Sequence, residues 1–204
     1  TEPYYVFLDE IQEVEGFEKI VNGLNKRPNV DVYITGSNSK FLSSEINTIF
    51  RGRTDEVNLQ PFTFREFCQG RAESENELWK EYYTFGGLPA LRKMPTNEQK
   101  ITYLQKLWKK TYIDDVVERH RVENRDALEA IADALCSSIG SLTNTTRITN
   151  TLESVRKIKI SDDTVSKYIG YLEDAFLFYE ARRYNIKGNK YYENIKKYYS
   201  VDVG

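Results

Sequence analysis

Two adjacent carboxylates, Asp9 and Glu10, close an apolar run of strand-forming residues, Tyr4-Tyr5-Val6-Phe7-Leu8. A short run of this kind bounded by charge reads as a buried central strand rather than a helix. Its last residues then emerge at the carboxyl edge of a sheet, where open α/β proteins place their ligands. An Asp there can hold Mg²⁺ against the phosphates of a nucleoside triphosphate, and a neighbouring Glu can orient and activate an attacking water. The same residues also describe an ordinary buried strand with a solvated acidic end. The elements C-terminal to them distinguish the two.

The next elements place a second strand beside the first. Phe17, Ile20, Val21 and Leu24 recur at helical spacing, and Arg27-Pro28-Asn29 ends that helix. Val30 to Thr35 is a second strand leading into Gly36-Ser37-Asn38-Ser39. Strand, helix and strand within about thirty residues is the length of a βαβ unit, so the strands are expected to be parallel neighbours. The loop at Ser37 then lies at the same sheet edge as Asp9 and Glu10. Phe41 to Phe50 reads as a helix, and Thr54 to Leu59 alternates like a short strand before Pro61.

From Ala72 the pattern turns helical. Glu77 to Phe85 is a helix stopped by Gly86-Gly87-Leu88-Pro89. Thr96, with Gln99 as a capping-box partner, opens a long helix to about His120, striped by Ile101, Leu104, Trp108, Tyr112 and Val116. Asn124 to Ile139 is a further helix, and another holds Ile148, Leu152 and Val155. Ser161 caps the next, with Asp162 and Asp163 in its first turn and Val165, Ile169, Leu172 and Phe176 along one side. Strand-like runs from Phe176 to Tyr184 and Lys190 to Ile195 close the series. Three helices and a hairpin make a winged helix-turn-helix pattern.

Composition narrows the class. The 204 residues suit one large or two small domains, and 40% hydrophobic residues can bury a core. No segment is long and apolar enough to cross a membrane. A net charge of −2 argues against a strong, global nucleic-acid footprint. Cys68 and Cys136 make no disulfide framework or metal motif, and a reduced cytoplasmic compartment is the simplest home. His120 has Asp114, Asp115 and Glu118 before it on one helix, a charged solvated end rather than a metal site. The chain opens at Thr1, already entering a strand, and stops at Val201-Asp202-Val203-Gly204, directly after one. Both ends read as cut from a longer protein.

In order along the chain, eight short motifs resemble one family: Phe7-Leu8-Asp9-Glu10-Ile11-Gln12, Ile34-Thr35-Gly36-Ser37-Asn38-Ser39, Gly52-Arg53, and Pro61-Phe62-Thr63-Phe64-Arg65-Glu66-Phe67. Phe85-Gly86-Gly87-Leu88-Pro89, Asp114-Asp115-Val116-Val117-Glu118-Arg119, Tyr168 with Leu172-Glu173-Asp174-Ala175-Phe176, and Lys197-Tyr198-Tyr199-Ser200-Val201-Asp202-Val203-Gly204 complete the match. Together they resemble the bacterial and archaeal AAA-type P-loop ATPases that carry a winged helix and a restriction-endonuclease-like C-terminal domain. The resemblance implies ATP and Mg²⁺ as cofactors. It makes Asp9 the metal-facing Walker B carboxylate, Glu10 the residue that activates water, and Ser37 the polar sensor of the γ-phosphate. Arg53 would be an arginine finger acting on a neighbouring subunit's nucleotide, which implies a homo-oligomer; the other reading has it tying down Asp55 or Glu56.

The expected fold is therefore α/β. Residues 1–67 form a partial P-loop NTPase parallel sheet, 68–122 a helical lid, 123–189 the winged helix-turn-helix, and 190–204 the start of the endonuclease-like domain. The chain departs from the family in one respect: no G-x-x-x-x-G-K-[ST] occurs in it, so the phosphate cradle is missing. The expectation is an ATPase whose fragment, as it stands, is inactive. The alternative is a non-enzymatic winged-helix module that binds DNA or another protein. Asp162 and Asp163 oppose a DNA role, since each carboxylate near a phosphate costs roughly 1 kcal/mol even in water, while Arg156, Lys157, Lys159, Lys167, Arg182, Arg183 and Lys187 favour it.

Overall fold

The computed structural model describes residues 2–11, 14–36, 50, 54–185 and 190–204. It divides into two compact units, Thr1–Asn58 and Leu59–Gly204. The helix expected over Phe41 to Phe50 lies outside the described residues but for Phe50 itself.

In the first unit, β1 (Tyr4–Leu8) and β2 (Val30–Ile34) form a two-stranded parallel sheet, with α1 (Phe17–Leu24) as the crossover. The register pairs Tyr4 with Val30 and Leu8 with Ile34. Aromatic and β-branched residues suit the pleated backbone, and strand alternation sends them to two faces. On one face Leu8, Val32 and Ile34 pack against buried Ile11, Phe17, Val21 and Phe50. The other face is open: Phe7 is 74% exposed and stacks on Tyr33 at 5.0 Å. Gly16 starts α1 in the left-handed region (φ 73°), where a side chain would be strained.

The first unit ends, and the second begins, in an irregular run. Thr54 to Leu59 was expected to be a strand but forms none, and Val57 and Leu59 are 81% and 91% exposed. Alternation alone does not make a strand; no described strand pairs with this segment. Helix α2 (Phe64–Cys68) and helix α3 (Glu75–Phe85) each open on a reciprocal capping box, Thr63 with Glu66 and Ser74 with Glu77. A 3₁₀ turn (Pro89–Lys93) leads to α4 (Asn97–Lys106). Buried Lys100 on α4 is satisfied by Glu81 at 2.5 Å, and Glu81 also accepts from Arg71 at 2.6 Å.

The long helix expected to run to His120 is present but not uniform. Between α4 and α5 (Asp114–His120) lies a π-helical stretch, Leu107–Ile113. The reason is in the stripe: Leu104, Trp108, Tyr112 and Val116 recur every fourth residue, and each such step overshoots an α-helical turn by about 40°. A wider turn takes up the overshoot and keeps the row facing the core. His120 is half-buried, its ring stacked on Tyr171 at 3.8 Å, so it is packed rather than solvated.

Three helices follow: α6 (Arg125–Ser137), α7 (Thr145–Thr151) with a π turn over Leu152–Arg156, and α8 (Asp162–Asp174). Asn124, Asn144 and Ser161 cap them by accepting from the third backbone N–H beyond. The hairpin of β3 (Phe178–Asn185) and β4 (Lys190–Ser200) is antiparallel, with an irregularity between Arg182 and Arg183. Leu128, Ile131 and Leu135 of α6, Leu152, and Val165 and Leu172 of α8 are almost wholly buried, with Phe178 and Tyr198 from the hairpin.

A clasp joins the end of this hairpin to the turn after α3. The Asp202 carboxylate accepts from the Gly87 N–H at 2.7 Å and from the Gly204 N–H at 2.8 Å. The Phe62 N–H donates to the Gly87 carbonyl at 2.8 Å, and the Tyr82 hydroxyl to the Phe62 carbonyl at 2.9 Å. Neither glycine has room for a side chain. A Cβ at Gly86 would sit 1.5 Å from Asp202 Oδ1, and one at Gly87 would sit 2.2 Å from the Phe62 carbonyl oxygen.

Candidate functional site

The carboxyl edge of the parallel sheet gathers Asp9, Glu10 and Thr35. Continuing the register one step beyond Leu8 and Ile34 sets Asp9 opposite Thr35. The backbone ladder runs on past the strands: the Thr35 N–H donates to the Leu8 carbonyl at 2.9 Å, and the Ile11 N–H to the Thr35 carbonyl at 3.2 Å. Between them the Thr35 hydroxyl donates to Asp9 Oδ1 and accepts from the Glu10 N–H at 3.2 Å. One threonine thus fixes both acidic positions. Glu10 has left the strand conformation (φ 47°), a left-handed geometry uncommon for a residue with a Cβ.

Asp9 and Glu10 are exposed at this edge, with Gly36 half-buried beside them. Ser37 and Arg53 lie outside the described residues. Thr35 belongs to one of the eight motifs, but no role was expected of it from the sequence. Its signal was available, because a parallel register carried one residue past the strand ends pairs it with Asp9. Among the described residues no group of three His, Cys, Asp or Glu side chains could hold a metal ion. The edge instead fits Mg²⁺ shared between one carboxylate and substrate phosphates, the usual way a protein holds that ion.

A second polar region lies between α8 and the hairpin. Burial pushes the Glu180 carboxyl up, but it accepts from Lys196 at 2.6 Å and from Arg182 at 2.5 Å, and these bonds and charges together hold it below the usual range. Glu173 faces the same place without such help. Burial, then the Glu180 charge, raise it from an ordinary 4.5 to about 7. Burial also raises the Tyr198 hydroxyl, with Glu173 and Glu180 adding to the effect.

This geometry has a consequence for stability. Between pH 4.5 and 7 the folded chain keeps a proton on Glu173 that the unfolded chain has released, so stability falls as pH rises through that window. Discounted for partial exposure, the loss is about 1 kcal/mol. Glu173→Gln is therefore expected to raise Tm at pH 8 by roughly 2–4 °C and to leave it unchanged near pH 4.5. Scanning calorimetry at the two pH values checks this; an equal shift at both would remove the ionisation from the account.

Residues 1–68, which hold the parallel sheet and its acidic edge, match the family described as an AAA domain. The fold is mixed α/β, and this part is similar to AAA domains. Residues 76–204 match the domain of unknown function DUF8612, and the chain belongs to that family. It is 38% identical to an uncharacterized protein of Haemophilus influenzae over the whole chain, and 30% identical to an uncharacterized protein of Methanocaldococcus jannaschii over 89% of it. The chain spans about half the length of these curated relatives, 52% and 44% respectively. Among the described residues no helix is long and apolar enough to cross a membrane.

Proposed function

We propose that this chain belongs to an AAA-type protein that binds and hydrolyses ATP, with its chemistry centred on the edge of the parallel sheet. The observation that carries the reading is the Thr35 bracket, which holds Asp9 and the Glu10 backbone at the carboxyl ends of two parallel strands. In this reading Asp9 contributes a Mg²⁺ ligand and Glu10 orients the water. Ser37 reads the γ-phosphate, and Arg53 reaches the nucleotide of a neighbouring subunit in a homo-oligomer. Residues 1–67 are then the ATPase core, 68–122 a lid, and 123–189 a winged helix-turn-helix. Residues 190–204 complete the hairpin and lead toward an endonuclease-like domain. A cytoplasmic location accords with this reading.

ATP hydrolysis by the full-length protein, with Asp9→Ala as the control, tests the proposal. Turnover that survives the substitution refutes it. The 204-residue chain alone is expected to bind no ATP at micromolar concentration. It lacks a glycine-rich phosphate cradle, and Asp9 and Glu10 by themselves repel a polyphosphate. Calorimetric titration with ATP and Mg²⁺ decides, and micromolar binding abolished by Asp9→Ala would show that a nucleotide site exists without that cradle.

A second reading takes α6, α7, α8 and the hairpin as a winged helix, which their order supports. The first turn of α8 is acidic, and Asp162 accepts a hydrogen bond from Thr146 at 2.5 Å. Those residues repel a phosphate backbone at the point where a recognition helix meets DNA. A protein partner suits this surface better than DNA.

A further inference from the structure

The polar region between α7, α8 and the hairpin opens as a cleft of about 410 Å³, lined by Thr145, Thr146, Ser166, Glu173, Glu180 and Lys196. Two carboxylates face two cations in and around it, yet both cations, Lys196 and Arg182, are bonded to Glu180. The Glu173 carboxylate makes no hydrogen bond or ion pair with any described residue, although half-buried carboxylates ordinarily have partners. Asp174 is the next residue on α8 and adds a further negative charge. With Glu173 ionised, the groups acting on the cleft are Glu173, Asp174 and Glu180 against Lys196 and Arg182, together with the neutral Tyr198 hydroxyl. One negative charge is left over. The remaining lining is Asn144, the apolar Ile169 and hydroxyl oxygen: Thr145 and Ser166 can accept from N–H donors, and Thr146, whose proton goes to Asp162, keeps acceptor capacity.

We propose that this cleft binds an ammonium or guanidinium group, with Glu173 as its counter-charge and the hydroxyls of Thr145, Thr146 and Ser166 accepting its other N–H bonds. The site is independent of the nucleotide edge. A phosphate or carboxylate ligand would meet the uncompensated negative charge. A divalent metal would find too few ligands, since among the described residues no three acidic, His or Cys groups converge. The cation belongs either to a free small amine or to a basic side chain of a partner protein, and the chemistry is the same for both.

The test is an amide NMR titration of the 204-residue chain with agmatine, with an acetylated and amidated Gly-Arg-Gly peptide, and with Mg²⁺. Shifts at Thr145, Thr146, Ser166 and Glu173 are expected with the two organic cations. Binding should be about ten-fold tighter at pH 8 than at pH 6, because Glu173 ionises near pH 7. Glu173→Gln should weaken it about ten-fold and remove the pH dependence. Ser166→Ala, at an exposed position, should weaken it less and keep the pH dependence. Tighter binding of agmatine assigns the site to a small amine, and tighter binding of the peptide to a partner's side chain; both support the site. Shifts confined to other regions, affinity unchanged by Glu173→Gln, or the same shifts from Mg²⁺ at lower concentration would each overturn it.

Discussion

Glu10→Gln in the full-length protein is expected to bind ATP about as well as the unsubstituted protein and to hydrolyse it roughly 10²–10⁴-fold more slowly. That is the range a positioned general base contributes. Glutamine keeps the size of the side chain and cannot take a proton from water. The Glu10 backbone, held by the Thr35 hydroxyl at 3.2 Å, is untouched by the change. Asp9→Asn is expected to differ in kind, weakening the Mg²⁺-dependent part of nucleotide binding as well as turnover, because it removes the charge that the proposed function sets against the metal. Thr35→Val separates position from chemistry: both acids stay, but the hydroxyl between them is gone. Its expected signature is a fall in kcat with little change in KM. Single-turnover hydrolysis and nucleotide binding, measured on all three variants, check the set. A Glu10→Gln rate within tenfold of the parent would remove Glu10 from the chemistry.

Gly87→Ala is expected to destabilise the second unit strongly. The new carbon would lie 2.2 Å from the Phe62 carbonyl oxygen, which is backbone and cannot rotate away. Relieving that overlap means separating the turn from Phe62 and stretching two hydrogen bonds. One runs from the Phe62 N–H to the Gly87 carbonyl, the other from the Gly87 N–H to the Asp202 carboxylate. Overpacking costs about 1–3 kcal/mol, and a hydrogen bond to a charged group adds about 1.5–3. A loss of roughly 3 kcal/mol or more results, a fall in Tm of about 6–12 °C. Asp202→Ala removes the acceptor without the overlap and should cost about half as much. Thermal melts of both variants test the clasp. A Gly87→Ala melt within about 2 °C of the parent would mean that the turn and the chain end do not meet in this way.

The sequence made some of this legible and hid the rest, for physical reasons. The parallel pairing of β1 with β2 and the caps at Ser161 and Thr96 were readable, because strand alternation, crossover length and capping chemistry are local properties. So was the acidic end of β1. The Thr35 bracket was half-visible, since it needs the register as well as the strands. The clasp was not, because Gly87 and Asp202 stand 115 residues apart and their pairing leaves no periodic trace. A double glycine before a proline announces a helix end equally well whether or not a carboxylate docks on it. The expected strand over Thr54 to Leu59 shows the converse. Its residues alternate as a strand would, but alternation describes faces and says nothing about whether a neighbouring strand is present. Glu173 is one acid among several in its motif, and only its packing against the hairpin sets it apart.

The wide turn over Leu107–Ile113 matters for how this protein is compared with its kin. A π-helical stretch carries more residues per turn than the α-helix on either side, so it stores an extra residue inside a continuous helix instead of in a loop. Against a relative whose helix is wholly α-helical here, an alignment that forbids gaps within helices would run through it and assign every later position on one side to the wrong partner. The error is a single place, yet one place on an α-helix is about 100° of rotation. It would exchange buried Val116 for exposed Asp115. Comparisons with such a relative need a one-residue allowance between Lys106 and Asp114, where no loop signals it.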